Sequence, residues 1–172
     1  MSAADALSGT RLLLAAAMPW LLPRGGVLPL AAWCVAALSD FVDGPLARRQ
    51  GTTSLRGAVL DNVADVTFVI VGLATAFVLG LVPWFVPASI GLSAGTYAAA
   101  STRSRPAGRG LARSRLGHWA GVANYLCLGL ATGALAFPGR SWIPLLVAAS
   151  VATTGLNLAA VGSRLLSASR SR

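Results

Sequence analysis

The chain has 172 residues, 55% of them hydrophobic and 11% charged, where a soluble domain carries about 25% charged residues. Together with a mean hydropathy of +0.69, this excludes an ordinary water-soluble fold, a disordered chain and a secreted disulfide scaffold, and predicts one all-α integral membrane domain over residues 1–172. The net charge of +9 comes from fourteen arginines and five aspartates, without lysine or glutamate; a basic nucleic-acid binder keeps a polar surface, so the charge reads as membrane orientation and attraction to anionic lipid heads, with no nucleic-acid partner.

Six apolar stretches follow in chain order, each close to the roughly 20 residues that cross the hydrocarbon. They cover 6–22, 27–48, 57–81, 83–100, 116–137 and 141–165. The first is short, holds Pro19 and carries Arg11 near its start. A cleaved signal peptide competes with a span there, but Asp5 and the lack of a basic cluster favour the span. Tight turns are expected at 23–26, 80–83 and 138–140, where Pro and Gly concentrate. The segment 101–115, rich in Ser, Arg, Gly and Pro, reads as a solvated loop.

Arginine separates the two sides. Twelve of the fourteen fall on the side of the 49–56 and 101–115 connections and both termini, leaving Arg24 and Arg140 opposite. The crowded side is therefore expected to be cytoplasmic, in a multi-pass inner-membrane protein. Trp20, Trp84, Trp119 and Trp142 lie near span ends, as an interfacial belt requires, whereas Trp33 is expected between helices. Met18 is expected to face lipid or to pack inside. Cys34 and Cys127 sit in apolar runs and are expected to be buried packing residues.

Four of the five aspartates fall within 26 residues, at the inner ends of the second and third spans. Carboxylates at membrane depth are costly and mark function. Asp40 and Asp43 are i,i+3, and Asp61 and Asp65 are i,i+4, so each pair shares a helical face. The short 49–56 connection makes the two helices antiparallel neighbours, so the four carboxylates face one cleft. Such a cluster calls for one or two divalent cations, and carboxylate ligands suit Mg²⁺ or Mn²⁺. The plainer alternative is two helix ends salt-bridged to nearby arginines. Gly44 and Gly57 remove side chains beside the carboxylates, where a phosphate group can come close to backbone. A transporter with an acidic ion site is the reading from another class. The position of the carboxylates at one interface and the lack of an inverted repeat count against it.

The run Asp40-Phe-Val-Asp43-Gly44-Pro-Leu-Ala47-Arg48, then eight residues, Gly57, three residues, Asp61, three residues and Asp65 resembles the signature of the CDP-alcohol phosphotransferases, D-x2-D-G-x2-A-R-x8-G-x3-D-x3-D, at every fixed position. The resemblance extends to the six-span organisation. It implies transfer of a phosphatidyl group from CDP-diacylglycerol to an acceptor hydroxyl, with release of CMP. It further implies that Asp40, Asp43, Asp61 and Asp65 hold two metal ions and that Asp65 is the general base. Gly44, Arg48 and Ser54 match positions that hold the cytidine diphosphate, with Ala47 and Gly57 small where helix and nucleotide meet. Leu7-Ser8-Gly9-Thr10-Arg11-Leu12 is similar to the L-[ST]-x-x-R-L run of relatives, so Arg11 is expected either at the donor head group or as an interfacial anchor. Relatives are commonly homodimers.

The signature does not read the acceptor, a small polar alcohol. Arg105, Arg113, Arg115 and His118 are the candidate acceptor-binding residues, since guanidinium pockets recognise phosphates; topology alone is the alternative explanation for the arginines, and a structural hydrogen bond for the histidine. The stretch 114–124 resembles the S-x-x-G-K-x-K-T-x-x-Q segment of phosphatidylglycerophosphate synthases, with His118, Ala120, Gly121 and Asn124 at the departing positions. Glycerol 3-phosphate is the expected acceptor. The phosphatidylinositol-phosphate, phosphatidylserine and cardiolipin branches stay open.

Overall fold

The computed structural model describes residues 3–50, 55–104, 114–139 and 141–169, with side chains described for 6–39, 57–102, 114–139 and 141–169. Six helices follow the six apolar stretches. They are α1 (Ala3–Leu21), α2 (Val27–Gln50), α3 (Leu55–Val78), α4 (Phe85–Ser104), α5 (Arg115–Ala136) and α6 (Ile143–Ser169), with a 3₁₀ turn at Leu22–Arg24. The described residues include no strand. Three helical segments, Gly57–Val78, Arg115–Ala136 and Ile143–Ser169, are long and apolar enough on their own to cross a membrane, and Val27–Ser39 is a shorter apolar segment. This is a multi-pass membrane bundle.

Several local expectations are refined. α1 continues through Pro19 to Leu21. Residues 101–104 belong to the last turn of α4 instead of the loop. Gly25, Gly26 and Gly80 take φ of +65°, +67° and +73°, a region that side chains with a Cβ avoid. That fits the turns expected at 23–26 and 80–83. Arg24, on the sparsely charged side, donates to the Trp20 carbonyl at 2.6 Å and so caps the end of α1. Ser114 caps α5, accepting from the Gly117 amide at 3.0 Å.

The bundle is apolar outside and mixed inside. Leu13, Leu28, Val78, Val151 and Ile143 are exposed, as are Trp20, Trp84 and Trp119 near helix ends. Inside, Met18, Phe68, Leu73, Val86, Leu128 and Ala131 form the core, together with Ser8, Arg11, Asn124, Thr132, Thr153 and Asn157. Lipid tails solvate the apolar exterior, so the polar groups belong where another helix can satisfy them. Met18 is packed inside, and Cys127 is buried. Cys34 is only half-buried, because its face of α2 is not fully covered.

Helix contacts place the site. α1 and α5 each pack against both α2 and α3, and α6 packs against α4 and α5. Two small residues bring α5 close. A Cβ on Gly129 would come within 2.6 Å of the Trp33 ring, and one on Gly72 within 2.7 Å of the Leu128 side chain. Trp33 is thus between helices, as expected, donating from Nε1 to the Tyr125 carbonyl at 2.9 Å.

Candidate active site

α3 presents Asp61 and Asp65 on one face, a single turn apart. α1 lies along that face and delivers Arg11 from the other side. Nη1 of Arg11 pairs with Oδ1 of Asp61 at 2.9 Å and with Oδ1 of Asp65. Its side chain is fully buried, while those of Asp61 and Asp65 are 40% and 26% exposed. Both carboxylates therefore reach an open space from a buried cationic floor, with Asp65 the deeper. Full burial decides against Arg11 as an interfacial anchor.

Two further side chains complete the described part of the cluster. Ser8, one turn before Arg11 on α1, donates to Asp61 Oδ1 at 3.3 Å. Tyr125 of α5 donates its hydroxyl to Asp65 Oδ1 at 3.0 Å. Its ring lies 6.0 Å from that of Phe68. Neither contact is visible in sequence spacing, since the partners are 53 and 60 residues apart. Position 8 stood inside the first-span run quoted above, but nothing singled out Tyr125.

Asp40, Asp43, Gly44, Ala47 and Arg48 fall within α2, and their side chains lie outside the described residues; Ser54, Arg105 and Arg113 lie outside them altogether. Gly57 stands one turn before Asp61 on α3. Among the described side chains no group of three metal-ligand types occurs. Arg115 and His118 are exposed at the start of α5, with the His118 ring 5.8 Å from that of Trp119. Among the described residues, no ion pair or hydrogen bond joins either of them to Asp61 or Asp65.

The structure adds an arginine that the sequence reading assigned only to topology. Arg164 of α6 donates to the Ser93 carbonyl at 2.8 Å, to Ser93 Oγ at 3.2 Å and to Thr96 Oγ1 at 3.1 Å. Its guanidinium carbon stands 5.5 Å from the centre of the Tyr97 ring, within cation–π range. The space above Gly117 is also filled by it, since a Cβ there would come within 3.0 Å of Nη2. One guanidinium thus joins α6 to the middle of α4 and the first turn of α5.

No curated protein was found to match the chain. The family model for CDP-alcohol phosphatidyltransferase matches residues 1–160, which include all six helices up to the last turns of α6. The transporter reading falls with that match. A multi-pass bundle with paired aspartates on α3 and a match over nearly the whole chain lead to one assignment: the protein belongs to the CDP-alcohol phosphatidyltransferase family, transferases that act on a CDP-alcohol and an alcohol acceptor in phospholipid synthesis.

Proposed function

We propose that this chain transfers the phosphatidyl group of CDP-diacylglycerol to glycerol 3-phosphate, with release of CMP, on the cytoplasmic side of the inner membrane. The observation that carries the reading is the pair Asp61 and Asp65 on one face of α3, held by a buried Arg11 at the end of the bundle that leads to the arginine-rich connections.

The acceptor oxygen attacks the phosphorus that carries the diacylglycerol, and the bond from that phosphorus to the CMP oxygen breaks. Asp65 takes the acceptor's proton as the new P–O bond forms. Arg11 holds the two carboxylates in register. Gly44, Ala47, Arg48, Ser54 and Gly57 serve the nucleotide, Arg48 by paired hydrogen bonds to phosphate.

The donor set also fits divalent metal. Two carboxylate oxygens already converge on one cationic nitrogen, and Asp40 and Asp43 stand at the matching end of α2. Asp40, Asp43, Asp61 and Asp65 would hold two Mg²⁺ or Mn²⁺ ions, which supply charge neutralisation for the pyrophosphate when bound.

For the acceptor, Arg105, Arg113 and Arg115 supply positive charge from the connection before α5 and from its first turn. Arg164 is a further candidate. Among the described residues it is held by neutral oxygens and an aromatic face instead of a carboxylate, so its charge is available to a phosphorylated acceptor.

The test is CMP release by purified protein from CDP-diacylglycerol with glycerol 3-phosphate, inositol phosphate, serine and phosphatidylglycerol offered separately. Release with glycerol 3-phosphate alone is expected. Release with free serine or a lipid hydroxyl, and with no polyol phosphate, would overturn the acceptor and leave phosphatidyl transfer standing.

A further inference from the structure

We propose that Tyr125 is a positioning residue for the transfer reaction: its hydroxyl fixes the carboxylate of Asp65, and Trp33 and Gly129 fix Tyr125. The proposal rests on the reading of Asp65 as general base. A base on a helix facing an open cleft has free rotation about χ1 and χ2 unless something restrains it, and one misplaced ångström costs heavily in rate.

Contacts from four helices restrain it and its support. The Tyr125 hydroxyl donates to Asp65 Oδ1 at 3.0 Å. Arg11 binds that same Oδ1, so two donors, one from α5 and one from α1, turn one named oxygen of Asp65 towards the bundle. A carboxylate pinned through one oxygen presents the other in a defined direction. In addition, the Tyr125 backbone carbonyl accepts from Trp33 Nε1 at 2.9 Å. The Trp33 ring fills the space that a Cβ on Gly129 would need, one turn further along α5. The Phe68 ring, 6.0 Å away and three residues beyond Asp65 on α3, closes the other side. The tyrosine is thus held by its ring, its backbone and its hydroxyl, which makes it a rigid support.

The hydroxyl is separable from the packing. Tyr125→Phe keeps the ring against Phe68 and the Trp33 bond to the backbone, and removes only the donor to Asp65. Gly129→Ala keeps the hydroxyl and disturbs the packing of Trp33. Both variants, with the unaltered protein, would be purified in phospholipid nanodiscs. CMP release from CDP-diacylglycerol with glycerol 3-phosphate gives kcat and both KM values, and thermal unfolding is followed in parallel. For Tyr125→Phe we expect kcat to fall about 10-fold, the low end for losing a hydrogen bond to a charged group. Both KM values should stay within about twofold, with the unfolding midpoint nearly unchanged. Gly129→Ala, which displaces Trp33 and so loosens Tyr125, should instead lower both the midpoint and kcat. If Tyr125→Phe lowers the midpoint as Gly129→Ala does and leaves kcat intact, Tyr125 is only a packing residue and the proposal is overturned. If the unaltered protein releases no CMP with any acceptor, the transfer reading itself falls and takes this role with it.

Discussion

Two parts of the bundle bury polar side chains, and they do so on different terms. Along the α5–α6 seam, Asn157 donates to Asn124 Oδ1 at 2.8 Å and to the Thr153 carbonyl at 2.9 Å, and Thr153 donates to the Ala123 carbonyl at 3.1 Å. Every group there is neutral, and these donors meet acceptors on the facing helix or one turn back on their own. In the first half of α3, two carboxylates share one guanidinium nitrogen, with hydroxyls from α1 and α5 adding to them. The seam is neutral throughout, and the hydroxyl of Ser150, beside Cys127, is left buried without a partner among the described residues. Among the described residues the carboxylate cluster pairs two negative charges with one guanidinium, and an acidic excess persists at membrane depth where a cation or a reaction uses it.

If that contrast is sound, the largest effects belong to the charged cluster. Asp65→Asn keeps the shape of the side chain and removes the base. Turnover should fall at least 10²-fold, with CDP-diacylglycerol binding largely kept, as read by CMP release and by equilibrium binding. Near-normal turnover at saturating Mg²⁺ would place the base elsewhere.

The next effect sharpens the charge argument. Arg11→Gln leaves Asp61 and Asp65 without their shared cation. The part-exposure of both carboxylates moderates the cost, to about 2 kcal/mol in EDTA. Mg²⁺ or Mn²⁺ should raise the unfolding midpoint of Arg11→Gln more than that of the unaltered protein, because the ion replaces a missing charge. EDTA should abolish CMP release in both. Equal Mg²⁺ shifts in the two proteins would show that the carboxylates and the metal do not share a site.

The difference between the two regions also explains what could be read in advance. Asp61 and Asp65 were legible because both lie on one helix, where spacing alone fixes the face. The six helices were legible from hydropathy, for the same local reason. Arg11 was noticed as a residue, but its pairing with the carboxylates was not, since Asp65 lies 54 residues away and no periodicity links α1 to α3. Tyr125 and Arg164 were missed as site residues on the same ground. Tyr125 sits in an apolar run, and Arg164 looked like one more charge on the crowded side. Gly72 and Gly129, which let α5 approach α3 and α2, were indistinguishable by sequence from the other glycines.

Arg164 tests the border between the two regions, since it is charged yet, among the described residues, bound by neutral partners. Arg164→Gln should raise the KM for glycerol 3-phosphate about 10-fold, the scale of one charge-assisted phosphate contact. The donor KM should stay nearly unchanged. An equal rise in both would assign Arg164 to holding α4, α5 and α6 together. Replacing Arg113 and Arg115 together by Gln should act in the same direction if the connection before α5 contributes to the same pocket.

The smallest effect is expected in the neutral seam, and it is the sharpest check on the contrast. Asn157→Leu removes a donor to Asn124 and a donor to the Thr153 carbonyl. In water such a loss inside a core is severe, because a buried polar partner is left unpaired. In a bilayer the unfolded reference is also a set of inserted helices whose polar groups find other partners, and measured interhelical bonds average well under 1 kcal/mol. Asn124 can turn its amide toward backbone carbonyls of its own helix, and leucine restores apolar packing. The expected cost is therefore about 1 kcal/mol in the unfolding midpoint, with kcat and both KM values unchanged. Loss of activity in a folded Asn157→Leu protein would mean that the seam sets the position of α5, and through Tyr125 the position of Asp65. The neutral and charged regions would then be one coupled unit.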